Sequence, residues 1–76
     1  MAMRPWRIYY INNKNDLYVF GDVIGADEIP QKILSKVRYV FASSNDYAIT
    51  NNGTLYDLSD IYYIDKDKPK KKAKGL

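Results

Sequence analysis

The chain contains neither cysteine nor histidine. Without cysteine no disulfide can staple the fold, and with both residues missing an ordinary structural zinc site is excluded. The same absences thin out catalysis, because a nucleophile–base pair would need serine with lysine or aspartate. Ser35, Ser43, Ser44 and Ser59 all sit among turn-forming neighbours, where short hydroxyl side chains bond the local backbone. Asp57 and Asp60 flank Ser59, but a paired-carboxylate or calcium site needs further oxygens converging on one point. These aspartates read as strand terminators. No enzymatic activity, cofactor or metal is expected. No apolar run approaches the ~20 residues of a membrane-spanning helix, and the N-terminus lacks a charged-then-apolar leader pattern. A soluble, cytoplasmic protein is the expectation.

What the chain has is aromatic. Eight tyrosines, two phenylalanines and a tryptophan contribute to an apolar content of 46% in 76 residues. That composition argues against global disorder. Its size is close to the limit at which one hydrophobic core is only marginally stabilising, so good packing or oligomerisation has to make up the difference.

The most informative feature is a repetition. Ile11-Asn12-Asn13-Lys14-Asn15-Asp16-Leu17-Tyr18 lines up with Ile49-Thr50-Asn51-Asn52-Gly53-Thr54-Leu55-Tyr56 at a shift of 38, and the match continues from Phe20-Gly21-Asp22-Val23 to Leu58-Ser59-Asp60-Ile61. Each copy is an apolar residue, an Asn-rich turn, and a Leu-Tyr that opens a second apolar run. A period of roughly 20–50 residues is the mark of repeat architectures.

From Trp6 the alternation is strand-like, with Trp6, Ile8 and Tyr10 on one side and Arg7, Tyr9 and Ile11 on the other. Asn12 to Asp16 reads as a turn and Leu17 to Phe20 as the returning strand, closed by Gly21-Asp22. Tyr18 or Phe20 is expected on Tyr9's side. Val37 to Ala42 is a strand with Val37, Tyr39 and Phe41 alternating against Arg38, Val40 and Ala42. Tyr47 to Thr50, Asn51-Asn52-Gly53-Thr54 and Leu55 to Leu58 form a second hairpin, with Asn-Gly supplying the positive φ angles of the loop. Ile61 to Ile64 extends or follows it. Ile29, Ile33 and Val37 recur every four residues after Pro30, which predicts a short helical turn near 30–36.

The expected fold is mainly β. It is a small antiparallel sheet of five or six short strands, propeller-blade-like or a small barrel. The expected domain is residues 1–64, followed by a flexible Lys-rich tail over 65–76. Open strand edges and apolar faces on both sides favour a homo-oligomer.

Leu17 to Tyr56 resembles a repeat of the regulator-of-chromosome-condensation family of β-propellers. The carriers are Phe20-Gly21-Asp22, Pro30 with Ile33, Val40-Phe41-Ala42, Ala48-Ile49-Thr50 and Asn52-Gly53-Thr54-Leu55-Tyr56, about half of the chain. The family's Gly-Gln-Leu-Gly element is missing after Asp22, and Ser43 to Asp46 replace the glycines and histidine of its central turn. The resemblance implies a blade that assembles with copies of itself or a derived free-standing module. It implies protein–protein recognition and transfers no functional residue.

Charge is unevenly placed. Residues 65–76 hold six lysines against two aspartates, a net of +4, whereas residues 1–64 hold six basic and seven acidic groups, a net of −1. Such a block marks a solvated interaction arm. Two functions follow as expectations. One is a protein-interaction or self-assembling module, using Trp6, Tyr9, Tyr10, Tyr18, Tyr62 and Tyr63 as its surface. A compact, cysteine-free, tyrosine- and asparagine-rich chain of this size also has the look of a small viral or mobile-element protein that binds a host factor. The alternative is nucleic-acid binding, in which Lys66, Lys68, Lys70, Lys71, Lys72 and Lys74 neutralise phosphates and exposed tyrosines stack on bases.

Overall fold

Alternating apolar residues, interrupted by turn chemistry every few positions, produce strands and nothing else. The computed structural model describes residues 2–4 and 6–75, and no helix occurs among them. Eight strands run β1 (Ala2–Arg4), β2 (Arg7–Ile11), β3 (Leu17–Gly21), β4 (Gln31–Leu34), β5 (Val37–Ala42), β6 (Asp46–Thr50), β7 (Leu55–Asp57) and β8 (Lys70–Ala73). They make two four-stranded antiparallel meanders, β1-β2-β3-β4 and β5-β6-β7-β8. The Cα radius of gyration, 11.3 Å, matches the ~11 Å of a compact chain of this length.

The repetition seen in the sequence is carried through the backbone. Arg7 pairs with Gly21 and Tyr9 with Val19, just as Tyr47 pairs with Asp57, so β2–β3 and β6–β7 share one register at the shift of 38. Both sheets have a bulge at the same place, between Leu17 and Tyr18 and between Leu55 and Tyr56. The two hairpin loops are built alike. Asn12 N–H donates to the Asp16 carbonyl at 3.0 Å, and Thr50 N–H to the Thr54 carbonyl at 3.0 Å. The Asn12 side-chain oxygen accepts from Asp16 N–H, and the Thr50 hydroxyl oxygen accepts from Thr54 N–H. The left-handed position is Asn15 (φ 64°) in one loop and Gly53 (φ 83°) in the other, both residues that tolerate it.

Both Leu-Tyr segments are therefore second arms of hairpins, as expected, but the unit is larger than expected. The helical turn predicted near 30–36 is instead β4. Ile29 precedes a proline, which disfavours the helical region, and so short a stretch does not repay helix nucleation. Pairing with the open edge of β3 satisfies its backbone instead. In the segment expected as a flexible tail, Lys70–Ala73 takes the same role as β8 on β7. Ile61 to Ile64 forms no strand. It is irregular, with a parallel bridge from Tyr63 to Ile24 and a turn beginning at Ile64.

The sheets pack face to face. Tyr9, Leu17 and Val19 from the first meet Val37 and Ala48 from the second, and Val23, Ala26, Leu58 and Ile61 close the core from the connections. The backbones approach most closely where β1 and β2 meet β5.

Candidate interaction surface

Alternation on β2 puts Arg7 on the same side as Tyr9 and Ile11, so the strand carries a guanidinium into the core. Arg7 is 3% exposed, and it is satisfied there. Its Nε donates to Asp22 Oδ1 at 2.7 Å, one terminal nitrogen donates to Tyr9 Oη at 3.1 Å, and the same nitrogen lies 3.9 Å from Asp46 Oδ2. Tyr9 Oη donates to Asp46 Oδ2 at 2.5 Å. The cluster joins the sheets, because Arg7 and Tyr9 belong to β2 and Asp46 to β6. Burial works against the Arg7 cation, yet its bonds to Tyr9 and Asp22 outweigh that and raise its pKa. Burial, then the bond to Asp46, pushes the Tyr9 phenol well above its usual value. An arginine, a tyrosine and a carboxylate in contact resemble acid–base machinery, but all three are sealed from solvent. The cluster is a clasp.

Ser59 and Asp57 have local roles too. The Ser59 hydroxyl accepts from Asp46 N–H at 2.9 Å, and Asp57 Oδ1 accepts from Ser59 N–H at 2.8 Å. That last bond holds the Asp57 carboxyl below its usual range. Asp67 Oδ2 accepts from the N–H groups of Tyr62 and Tyr63, which lowers its pKa likewise.

The opposite face of each sheet carries the accessible apolar surface. On the first sheet, Ile8 pairs with Phe20 and Tyr10 with Tyr18, all half-buried. The Tyr10 and Tyr18 rings stack at 5.4 Å, with planes 6° apart. On the second, Tyr39 pairs with Ile49 and Phe41 with Tyr47, while Leu55 continues the face from β7. Tyr39 is 63% exposed and Phe41 42%, and the Phe41 and Tyr47 rings lie 5.5 Å apart. A bulge between Val37 and Tyr39 resets the alternation, so Val37 is interior while Tyr39 and Phe41 face out. The simple alternation of Val37 with Tyr39 and Phe41 is corrected accordingly.

Among the six aromatic residues expected to form a surface, Tyr9 is fully buried, because its phase on β2 is that of Arg7 and Ile11. Tyr18 and Phe20 lie with Tyr10 and not with Tyr9, since cross-strand partners share a face. Trp6 is 77% exposed at the β1–β2 turn, and Tyr62 and Tyr63 are exposed on the β7–β8 connection. The structure does not bring these three together with Tyr10 and Tyr18 by any ring contact among the described residues. Sequence reading missed Tyr39, Phe41, Tyr47 and Leu55, and the shift of 38 gives no signal for them, because Tyr9 and Leu17, the counterparts of Tyr47 and Leu55, are buried.

The six lysines are all exposed but do not converge. Lys70 Nζ lies 3.1 Å from Asp60 Oδ2, and Lys66 Nζ sits 5.1 Å above the Tyr63 ring. Lys71 points to the other side of β8 from Lys70. There it lines an open cleft of about 360 Å³ with Lys36, Thr50, Asn51 and Tyr56. Among the described residues no helix is long and apolar enough to cross a membrane, and no cluster of acidic residues could hold a metal ion. No family model matches the chain, and neither a curated protein nor a solved structure matches it. Function therefore has to be inferred from the chain's own geometry.

Proposed function

We propose that the chain is a non-enzymatic protein-interaction module whose outward sheet faces make the contacts. The observation that carries this reading is the apolar, aromatic character of both outer faces in a domain whose core is already filled from between its sheets. Aromatic side chains anchor protein interfaces because they bury large area at small entropic cost. Unpartnered aromatic faces of this kind mark association sites. The resemblance to regulator-of-chromosome-condensation repeats belongs to the same proposal.

Oxidative footprinting of Tyr39, Phe41 and Tyr47 tests the reading. It compares dilute purified chain, concentrated chain, and chain added to extract of the cells that make it. Protection of these rings in either of the last two conditions is expected. Equal oxidation in all three would refute a contact role for the faces.

A nucleic-acid reading has one observation in its favour: Lys70 shares the outer side of the second sheet, next to Asp57, with Tyr47. Mixed-sequence single-stranded oligonucleotide titrated across a salt series tests it. Binding that weakens steeply with salt and is lost on removing residues 66–76 would support the tail as a phosphate contact.

A further inference from the structure

The way the two sheets pack has a handedness that a pair of identical halves need not have. At the shift of 38, the first sheet's inward-facing residues Arg7, Tyr9, Ile11, Leu17 and Val19 fall on Asn45, Tyr47, Ile49, Leu55 and Asp57. Three of the five are the same residue, Tyr, Ile and Leu. In the first sheet these positions face the interior, with Tyr9, Leu17 and Val19 fully buried. In the second sheet they face outward, because Tyr47, Ile49 and Leu55 pair with Phe41 and with Tyr39 on the far side from the buried Ala48. Conversely, the second sheet's inward side, Asp46, Ala48 and Tyr56, falls on Ile8, Tyr10 and Tyr18, which are the first sheet's outward side. The interface inside the chain thus joins one kind of face to the other kind. One face of each kind is left over.

Such a heterologous contact does not satisfy itself. Repeated between molecules, it generates a ring or an open filament, according to the rotation it applies. Here the sheets come closest along β1, β2 and β5, with β1 and β5 each an edge strand, so a repeated contact of this kind would incline each sheet to the next in one sense. The bridge from Ile24 to Tyr63 runs parallel and joins the β3–β4 and β7–β8 connections of the two halves. Equivalent segments side by side and parallel are what repeated stacking in one sense produces.

We infer that the partner of the outward faces is a second copy of this chain, with Ile8, Tyr10, Tyr18 and Phe20 of one copy packed on Tyr39, Phe41, Tyr47 and Leu55 of the next, and that the series closes into a ring. This rests on the interaction reading above and names its occupant. The leftover faces continue an interface already present in each molecule. The seam between copies differs from the one inside in a definite way. Position 7 is replaced by Asn45, and position 46 by Ile8, so the seam lacks the buried ion cluster; its centre is apolar and aromatic, with Lys32 beside Tyr18 on one face and Asp57 with Lys70 beside Tyr47 on the other.

The test uses the full chain and two variants, one per face: Tyr39→Lys in β5 and Tyr10→Lys in β2. Each is checked for folding by circular dichroism, with Phe41→Lys and Tyr18→Lys as replacements where a variant fails to fold. Mass is read by sedimentation equilibrium. The unaltered chain is expected at one discrete mass of three or more chains that persists on dilution. Each variant alone is expected at the mass of a single chain, 8.8 kDa. An equimolar mixture of the two is expected to restore a one-to-one dimer, since each still carries the face the other lacks.

A monomer at millimolar concentration overturns the inference, as does a dimer sensitive to only one of the two substitutions, which would be isologous. Growth without limit overturns closure. If the purified chain is monomeric while Tyr39 and Phe41 are protected in extract, the interaction reading stands and the second copy does not.

Discussion

Replacing Arg7 by methionine removes the cation from the clasp while keeping most of its volume. Asp22 is half exposed and can rehydrate, whereas the buried Asp46 loses the guanidinium that lies 3.9 Å from its Oδ2. Breaking a buried pair by deleting one partner typically costs about 3–5 kcal/mol. A domain of this length is stable by roughly 4–11 kcal/mol at the usual per-residue value, so Arg7→Met should consume a large share of the total. With a urea m-value of about 1 kcal/mol/M for a small protein, the midpoint should fall by roughly 3–5 M. Far-UV circular dichroism in urea reads this, with every variant at one protein concentration because assembly would contribute to apparent stability. The companion variant carries Arg7→Met, Tyr9→Phe and Asp46→Leu together. An apolar replacement of the whole cluster leaves no buried charge, so it should recover to within about 2 kcal/mol of the original, or exceed it. A loss below about 1 kcal/mol in Arg7→Met would mean the cluster is hydrated. A triple variant no better than the single one would show that the charges are not what makes the deletion costly.

Other outcomes are as specific. A Cβ at Gly21 (φ 130°) would stand 2.2 Å from the Trp6 backbone oxygen, whereas Gly75 has open space around it. Gly21→Ala should therefore lower the thermal midpoint markedly while Gly75→Ala costs only its local strain, and equal losses would contradict the contact. Asn15→Gly should stabilise by up to about 1 kcal/mol and Gly53→Ala should destabilise by about 1–2 kcal/mol in thermal melts, because both positions are left-handed. Tyr9 has a folded pKa raised above its unfolded one, so its contribution is complete below pH ~10 and is lost as pH rises beyond that. The alkaline limb of stability should accordingly be shallower in Tyr9→Phe than in the original chain. Superimposable alkaline limbs would count against the buried phenol.

How much of this could be read without coordinates depends on whether the determining contact is local. The two hairpins were legible because Asn12–Asp16 and Asn51–Thr54 encode their turns in adjacent residues, and the shift of 38 between them survived as shared register. β4 was not legible. Nothing in Gln31-Lys32-Ile33-Leu34 itself outweighs the four-residue spacing of Ile29, Ile33 and Val37, and only the open edge of β3 makes the stretch extended. The same holds for Lys70–Ala73, where three lysines conceal a strand that β7 recruits. The surface was half legible. Alternation separates Tyr10 from Tyr9 but does not say which side is buried; that is decided by packing against the second sheet, which covers Arg7 and Tyr9 and leaves Tyr10 half-buried. The bulge after Val37 has no visible signal, and it alone decides that Tyr39 and Phe41 look away from the core.

The clasp occupies one seam and has no counterpart at the equivalent position on the other side of either half, where Asn45 and Ile8 stand instead. Two halves drawn to nearly one backbone plan are therefore not interchangeable. In the proposed stack, sliding by one half-unit would press a guanidinium or a carboxylate against greasy side chains, and the electrostatic penalty would reject the misplacement. A single arginine thus gives an otherwise repetitive molecule a beginning and a direction.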